Sequence, residues 1–380
     1  KNMKKILVIN TKYREFGGED SNIEEEVKFL SNSYNVQYLE YDNSEKINIY
    51  DFLSFFFQFN YKSNKILKKK LDSFSPDIVY IHNTWFKAGL GIFKTLKRKN
   101  LNVIVKVHNF RHECSSYLSA KKHKQEQKFC FKCGFSGSVI NKYYPDSYTK
   151  SFLLTLYSKK YLKILKSNDI QILVLNKFSK QRMEKLRNSG KNISIFYNPL
   201  DIKNLQRGKY NPNSSYVVYA GRLSEPKGLT ELLNTWKEVN LKNIKLKIIG
   251  TGDIKDQLEQ KFKGKNIEFL GSMSNSEAVN EIRNSRAVIT ATKMYEGQPR
   301  LLNEASAMGV PSIFPDFGGM SEYFPQNYKL SFIQYNYKDL KQKLFLLKDE
   351  KLLDKSSNEV KEYFSNLQDK NYNSSCFEDL

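Results

Sequence analysis

The sequence predicts an α/β protein of two domains, each built on a doubly wound parallel sheet, with the two domains facing a cleft. A chain of 380 residues suits two domains of ordinary size better than one. Short β-branched runs alternate with helical patterns along most of the chain, which is typical of parallel sheets covered by helices. Polar residues and glycines directly follow several of these runs, at the strand ends where open α/β sheets bind ligands.

The composition limits the classes of function. No run of about 18 apolar residues is present, so we expect no membrane-spanning helix. The first apolar run, Ile6–Ile9, is too short for a signal peptide. Four cysteines do not form a disulfide framework in a chain of this size, so we expect a cytoplasmic protein.

The positive charge is uneven. Residues 1–200 hold 36 Lys and Arg against 17 Asp and Glu, whereas residues 201–380 hold 26 against 23. A codon bias that enriches lysine explains the total of +22 but not the asymmetry. A basic first half favours an anionic partner, either the inner face of the cytoplasmic membrane or nucleic acid. No base-stacking or groove-reading motif is evident, so we expect no specific nucleic acid.

The chain begins with a strand, a glycine-containing loop and a helix. Lys4–Asn10 reads as a buried strand, Gly17 and Gly18 follow, and Glu24–Leu30 has helical spacing. This order is typical of a Rossmann-like unit, although the full G-x-G-x-x-G pattern is absent. Adjacent glycines allow close approach to a ligand, and a plain turn is the alternative.

An aromatic and basic segment lies between Asp51 and Leu71. Phe52–Phe59 is rich in phenylalanine, and Lys68–Lys70 closes a series of lysines. A helix that packs its aromatic side into the core explains the phenylalanines. An amphipathic surface on an anionic membrane explains the lysines.

Two histidines end consecutive predicted strands. His82 follows Pro76–Ile81, and His108 follows Leu101–Val107, with Asn109 and Arg111 close behind. The carboxyl ends of neighbouring parallel strands meet at one sheet edge, so these side chains are candidates for an acceptor site.

Three cysteines cluster in the segment 112–148. Cys114, Cys130 and Cys133 lie near His112 and His123, a set that could bind zinc tetrahedrally. One C-x2-C pair is half of a zinc signature, and ordinary thiols in a loop beside the acceptor site are the alternative.

The domain boundary is expected where a polar stretch follows the last strand of the first half. The sequence predicts a first domain at 1–198 with a cysteine-containing loop at 112–148, a linker at 199–215, a second domain at 216–355, and a helical tail at 356–380.

A second strand-and-loop motif opens the second domain. Tyr216–Gly221 reads as a strand, Arg222 and Lys227 lie in the next loop, and a helix containing Trp236 begins near Thr230. Two cations beside a helix N-terminus can hold a diphosphate, because arginine offers a fork of donors and lysine a point charge.

Two carboxylates flank seven residues near the end of the second domain. Glu296 lies in a Gly/Pro-containing loop, and Glu304 lies about one turn inside a helix that ends at Gly309. Free N–H groups at the helix start favour an anion such as a phosphate.

Together these motifs resemble the retaining, nucleotide-sugar-dependent glycosyltransferases of the two-Rossmann GT-B architecture, specifically family 4, the group 1 glycosyltransferases. The resemblance runs along nearly the whole chain and is strongest over 216–322, where Gly318–Glu322 matches a closing Gly-Gly-x-x-Glu loop. Gln298, Pro299 and Arg300 replace the usual aromatic, glycine and aliphatic residues, so the resemblance does not identify the donor sugar.

The resemblance implies a role for each matching residue. It assigns His108, Glu296, Arg222 and Lys227 to catalysis, with His108 facing the donor sugar from the first domain. It assigns donor binding to Gly17, Gly18, Gly221, Arg222, Lys227, Glu296, Gly297, Gln298, Arg300, Leu301 and Glu304. The acceptor side would hold His82, Asn109 and Arg111.

The resemblance also implies the chemistry and the partners. A nucleoside-diphosphate sugar would be the donor substrate, and a glycan or lipid-linked saccharide the acceptor, in cell-surface polysaccharide or glycolipid synthesis. No cofactor and no catalytic metal are expected, because protein cations hold the diphosphate. The alternatives are another GT-B enzyme, such as a nucleotide-sugar epimerase or a pyridoxal-phosphate-dependent phosphorylase, and a basic nucleic-acid-binding protein.

Overall fold

The computed structural model divides the chain into two units. One comprises Lys1–Pro199 with Tyr372–Leu380, and the other comprises Leu200–Asn371. The structure describes residues 3–12, 18–44, 51, 53, 54, 57, 59–110, 112, 113, 135–140, 142, 147–201, 205, 208–371 and 377.

The first unit contains a six-stranded sheet in the order β2-β1-β3-β4-β5-β6, in which every neighbouring pair is parallel. The strands are β1 (Lys5–Lys12), β2 (Asn35–Asp42), β3 (Ile78–Ile81), β4 (Asn102–Val107), β5 (Ile170–Val174) and β6 (Ile193–Ile195). The helices are α1 (Gly18–Leu30), α2 (Tyr61–Phe74), α3 (Gly91–Arg98), α4 (Phe135–Ile140), α5 (Tyr148–Leu165) and α6 (Lys177–Arg187). The strand order reverses between β1 and β3, so ligands are expected at the carboxyl ends of those two strands.

Both faces of this sheet are buried. Leu7 and Ile9 of β1 belong to one apolar cluster, and Ile6 and Val8 belong to another. Successive side chains of a strand point to opposite faces, so each face has its own core. Strands buried on both sides read as continuous apolar runs, which explains the pattern of the sequence.

The second unit contains another parallel sheet of six strands, in the order β12-β11-β10-β7-β8-β9. The strands are β7 (Tyr216–Ala220), β8 (Lys245–Ile249), β9 (Ile267–Gly271), β10 (Val288–Ile289), β11 (Ser312–Asp316) and β12 (Ser331–Ile333). The α-helices are α7 (Leu229–Val239), α8 (Lys255–Phe262), α9 (Asn275–Arg283), α10 (Arg300–Met308), α11 (Tyr337–Phe345) and α12 (Glu350–Asn371). Short 3-10 turns cover Glu225–Lys227, Met320–Tyr323 and Leu346–Lys348. The predicted fold class, α/β with two doubly wound parallel sheets, is confirmed.

The helix ends follow local sequence rules. Asn60, Asn176 and Ser274 each accept a backbone N–H with their side chains at the first turn of α2, α6 and α9. Such caps satisfy N–H groups that the helix itself leaves without a partner. Trp236 of α7 is 1% exposed, as its helical spacing predicted.

The end of the chain contributes to the first unit. Phe377 is fully buried there, and its ring lies 5.1 Å from that of Tyr80 and 5.5 Å from that of Phe196. The part of the chain that the structure describes holds no helix that is both long enough and apolar enough to cross a bilayer.

Candidate active site

The strand order of the second sheet reverses between β7 and β10, which are neighbours. Val288 of β10 pairs with Val218 of β7. The loop after β7 carries Arg222 and Lys227, and the loop after β10 carries Glu296. Arg222 and Lys227 therefore meet Glu296, which lies 69–74 positions further along the chain, at the crevice where open α/β sheets bind ligands.

Lys227 and Glu296 form an ion pair in this crevice. The distance from Lys227 Nζ to Glu296 Oε1 is 2.6 Å, and the hydroxyl of Thr292 donates to the same oxygen at 3.0 Å. The two charged side chains are 28% and 20% exposed, so both reach solvent at the crevice. An ammonium group has three N–H donors, so the bond to Glu296 leaves capacity for an anionic ligand.

Close backbone contacts hold the loops around this pair. A Cβ at Gly228 would lie 1.9 Å from the carbonyl oxygen of Ala291. A Cβ at Gly250 would lie 2.0 Å from the oxygen of Gly221, and one at Gly252 would lie 2.2 Å from the oxygen of Leu223. Only glycine fits these positions, and the loops after β7, β8 and β10 therefore pack directly on one another.

Tyr219 supports the loop that carries Arg222. Its hydroxyl donates to the carbonyl oxygen of Arg222 at 3.0 Å. Burial raises the pKa of Tyr219, and the charge of Glu296 raises it further, so the phenol keeps its proton at neutral pH. The Arg222 side chain is exposed beside this supported backbone.

The N-terminus of α10 directly follows the loop that carries Glu296. Its N-cap position is Pro299, whose side chain cannot accept from the first turn. The carbonyl of Gly297 accepts from the hydroxyl of Tyr323 at 3.2 Å, which orients the turn before the helix. A nine-residue helix with no side-chain cap leaves N–H groups and a partial positive charge at its start.

Glu304 is paired inside α10. Its Oε1 accepts from Nε of Arg300 at 2.6 Å, and the two side chains are 7% and 13% exposed. Arg300 thus compensates a largely buried carboxylate one turn below the helix start. Gln298 is buried just before the helix, whereas Leu301 in its first turn is half-buried.

An aromatic stack borders the Glu296 loop. The rings of Tyr295 and Phe317 are 4.3 Å apart and nearly parallel. A Cβ at Gly318 would lie 2.3 Å from Cδ1 of Tyr295, so the glycine loop predicted to close the site is pressed against this stack.

In the first unit, His82 and His108 contact each other. Nδ1 of His82 lies 2.8 Å from Nε2 of His108, and the two rings stack with centroids 5.1 Å apart. Both lie beyond the carboxyl ends of β3 and β4, as predicted. Burial lowers the pKa of each histidine well below its ordinary value, and the charge of Lys106 lowers both further.

A buried ionic cluster lies beneath the two histidines. Nζ of Lys106 lies 2.5 Å from Oε2 of Glu26, and the hydroxyl of Tyr80 donates to the other carboxylate oxygen. Both charged side chains are fully buried, and Lys106 also lies over the ring of Phe196. This cluster was not predicted from the sequence, although a lysine inside the apolar run of β4 is the signal that could have revealed it.

A small cavity adjoins the histidines. Its volume is about 30 Å³, enough for one or two water molecules. The residues that line it are Glu19, His82, Asn83, Thr84, Trp85, Lys106, Val107, His108, Asn109, Tyr157 and Tyr161. Asn109, predicted on the acceptor side, therefore lies beside both histidines.

Several predicted residues lie outside the described part of the chain. They are Gly17, Arg111, Cys114, His123, Cys130 and Cys133. Gly18 begins α1. His112 is buried beside Arg182, and burial with this neighbouring charge lowers its pKa to about 3. Within the described residues, no three His, Cys, Asp or Glu side chains are grouped to hold a metal ion.

The match to a known protein family lies within the second unit. Residues 201–363 match the model of a family described as glycosyl transferases group 1. A stretch of 98 residues is 37% identical to the amylovoran biosynthesis glycosyltransferase AmsD of Erwinia amylovora. That alignment covers 26% of this chain and 28% of that protein, so the relative is matched over less than a third of its length.

Two solved structures resemble the whole chain. Sucrose-phosphate synthase from Thermosynechococcus elongatus has a TM-score of 0.73 at 12% identity, over 99% of this chain and 97% of that one. Anabaena HepE, solved in complex with UDP-glucose, has a TM-score of 0.71 at 13% identity, over 99% and 100% of the two chains. At these identities the similarity shows the fold. The match to the group 1 glycosyl transferases therefore rests on residues 201–363, less than half of the chain.

Proposed function

We propose that this chain is a retaining glycosyltransferase that moves a sugar, as a hexosyl group, from a nucleoside diphosphate to an acceptor hydroxyl. The observation that carries the proposal is the Lys227–Glu296 pair beside Arg222, at the crevice between β7 and β10. A cation and a carboxylate that lie 2.6 Å apart can bind the diphosphate and the sugar of such a donor, respectively. The lysine would bind the diphosphate, and the carboxylate would accept hydrogen bonds from sugar hydroxyls.

The proposed chemistry depends on positive charge at the leaving group. Negative charge develops on the β-phosphate as the glycosidic bond breaks. Arg222, Lys227 and the N-terminus of α10 would stabilise this charge, as preorganised cations and amides do in phosphate chemistry. Since protein groups would carry the charge, the proposal requires no catalytic metal and no cofactor.

Other roles in the proposal come from resemblance alone. Glu304 would bind the ribose, with Gly221, Gly297, Gln298, Arg300 and Leu301 around the donor. His108 would contact the transferred sugar, and His82 and Asn109 would lie toward the acceptor. The compensated, largely buried carboxylate of Glu304 fits a role in holding neutral hydroxyls rather than phosphate.

The names of related proteins support a donor and an acceptor class. HepE was solved with UDP-glucose, and AmsD is named for amylovoran biosynthesis. We therefore propose a nucleotide-sugar donor, with uridine diphosphate tested first, and a glycan or lipid-linked saccharide acceptor in cell-surface polysaccharide or glycolipid synthesis.

A thermal-shift panel of UDP, GDP, dTDP, ADP and their sugars tests the donor site. A ligand that binds only the folded protein raises its apparent stability. One nucleotide family should stabilise the wild type and the control Lys245→Ala, whose exposed side chain lies at the amino end of β8. The same ligands should not stabilise Arg222→Ala. No shift of the wild type with any nucleotide would refute the donor site.

Turnover assays separate the remaining alternatives. Retention predicts a product with the anomeric configuration of the donor, which proton NMR of the first product reports. Conversion of the donor sugar without an acceptor would indicate an epimerase. Pyridoxal phosphate absorbance in the purified protein would indicate a phosphorylase, and loss of activity after chelator dialysis would contradict metal-independent transfer.

We further propose that the first unit docks on an anionic membrane through the exposed side of α2 and the residues before it. Phe57 is 75% exposed and Tyr61 is 69% exposed, which is unusual for large aromatic side chains. The helix carries Lys62, Lys65, Lys68, Lys69 and Lys70, against the single acid Asp72. Its buried residues are Ser63, Asn64, Leu67, Leu71 and Phe74, so the lysines lie on or beside the outward side.

Vesicle sedimentation tests this surface. Each lysine near an anionic surface contributes about 1 kcal/mol, so replacing Lys68, Lys69 and Lys70 with Gln should weaken binding by roughly 100-fold. The control replaces three exposed lysines of the second unit, Lys242, Lys245 and Lys263. Equal binding of both variants would refute docking through α2. Binding to DNA but not to anionic vesicles would identify nucleic acid as the partner of this basic surface.

A further inference from the structure

The contact between His82 and His108 has a direction that decides the chemistry of His108. The two ring nitrogens are 2.8 Å apart, so one of them carries the proton and the other accepts it. Two arrangements are possible. Either His82 Nδ1–H donates to His108 Nε2, or His108 Nε2–H donates to His82 Nδ1.

The other nitrogen of His82 distinguishes the two arrangements. His82 Nε2 exposes less than 1 Å² and has no hydrogen-bond partner among the residues that the structure describes. A water molecule in the neighbouring cavity therefore cannot reach it. If His108 were the donor, a neutral His82 would carry its proton on Nε2, leaving a buried N–H without an acceptor. An orphaned buried N–H is rarer than a buried acceptor that lacks a donor, and leaving a buried donor unsatisfied costs about 1–3 kcal/mol.

We propose that His82 is a positioning residue, which donates from Nδ1 to His108 Nε2 and thereby holds His108 as the neutral tautomer protonated on Nδ1. His108 then acts as a neutral hydrogen-bond donor through Nδ1–H, and does not exchange protons with the substrate. The inference rests on the proposed function for its ligand, an oxygen of the transferred sugar, but the tautomer itself is a property of the first unit alone.

The surroundings keep the pair neutral. The register that pairs Ile81 with Val105 puts His82 beside Lys106, whose charge opposes a second proton on either ring. The carboxylate of Glu26 accepts hydrogen bonds from Lys106 and Tyr80, and it forms no ion pair with either histidine. The titratable groups that surround the pair are Glu19 and Glu26 on α1, Tyr80 on β3, Lys106 on β4, and Tyr157 and Tyr161 on α5.

Nitrogen NMR of the full chain, labelled with ¹⁵N-histidine, tests the tautomer directly. The chain has only four histidines, and His108→Gln and His82→Asn assign the two of interest. Couplings to the ring protons distinguish Nδ1 from Nε2. From pH 7.5 to 5.5, His108 should show a protonated Nδ1 and an unprotonated Nε2. A protonated Nε2, or an imidazolium at pH 7.5, would overturn the proposal.

Substitution of His82 separates positioning from mere packing. His82→Phe keeps a ring but removes the donor, so the tautomer of His108 should change and kcat/KM for the sugar donor should fall roughly tenfold, as for one lost hydrogen bond. His82→Asn restores an N–H near Nδ1 and should recover most of that loss. Affinity for the free nucleoside diphosphate should stay the same in both.

The outcomes distinguish this inference from the proposed function. An unchanged His108 tautomer in His82→Phe would refute the positioning role even if the enzyme is a glycosyltransferase. The predicted tautomer in a protein that binds no nucleotide would refute the proposed function and leave the histidine pair intact. If His82→Phe does not fold, the spectrum of the wild type still decides.

Discussion

Replacement of Gly228 by alanine should disrupt the proposed donor site through one backbone contact. Gly228 has φ +69° and joins the 3-10 turn that ends at Lys227 to helix α7. The added Cβ would lie 1.9 Å from the carbonyl oxygen of Ala291, which belongs to the segment leading to Glu296. The backbone N–H of Lys293, two residues after Ala291, also donates to the carbonyl oxygen of Pro226 at 2.8 Å. The turn and this segment are therefore held together at a second point.

The size of the effect follows from these distances. The distance from the added Cβ to the carbonyl oxygen of Ala291 must lengthen from 1.9 Å to at least 3.0 Å. Neither atom lies at the end of a flexible side chain, so the backbone itself must shift. The turn and the segment must therefore move apart by about 1 Å, which stretches the 2.6 Å pair between Lys227 and Glu296. A displacement of this size typically costs about 100-fold in catalysis. The left-handed backbone adds about 1–2 kcal/mol of strain for alanine.

Calorimetric titration with the nucleotide sugar, and kcat/KM with the same donor, measure the effect. Gly264→Ala is the matched control, because the nearest atom to its added Cβ lies 3.9 Å away and its φ is not in the left-handed region. Gly264→Ala should bind like the wild type. If Gly228→Ala folds and also binds and turns over like the wild type, this packing of the loops does not position the site.

Three further predictions concern stability in the first unit, measured by urea unfolding. Because burial lowers the pKa of His112 to about 3, the unfolded state takes up a proton that the folded state does not as pH falls through 6.5. The stability lost between pH 7.5 and 5.5 should therefore be smaller in His112→Gln by about 1.4 kcal/mol, and an equal loss would contradict the neutral buried ring. Lys106→Met should cost about 3–5 kcal/mol, because it leaves Glu26 buried without its cation, and adding Glu26→Gln should recover part of that cost. Phe377→Ala should cost about 3–5 kcal/mol, and a change within 0.5 kcal/mol would contradict its packing in this core.

The sequence predicted the architecture because the signals for it are local. A strand buried on both faces reads as a short apolar run, and helices keep their spacing and caps within a few residues. Gly221, Arg222 and Lys227 follow one such run directly, and Glu296 follows another. The two parallel sheets were therefore predictable, together with the strand ends at which His82, His108 and these residues lie.

Contacts between distant segments were not predictable in the same way. Glu26 and Lys106 are 80 residues apart, and nothing near either residue indicates its partner. The requirement for glycine at position 228 comes from a carbonyl at Ala291, which only the adjacency of β7 and β10 brings close. The 2.8 Å contact between His82 and His108 likewise depends on the register of β3 and β4.

The sequence by itself determined the α/β class, the division into two sheets and the residues that follow each strand. Periodicity, capping and glycine placement each depend on residues only a few positions apart, so the order of residues along the chain is enough to predict them. The tertiary structure alone decided that Lys227 pairs with Glu296, that Lys106 forms an ion pair with Glu26 inside the first core, and that His82 contacts His108. Those contacts depend on strand order and register, because pairing two segments fixes atoms that are far apart in the chain.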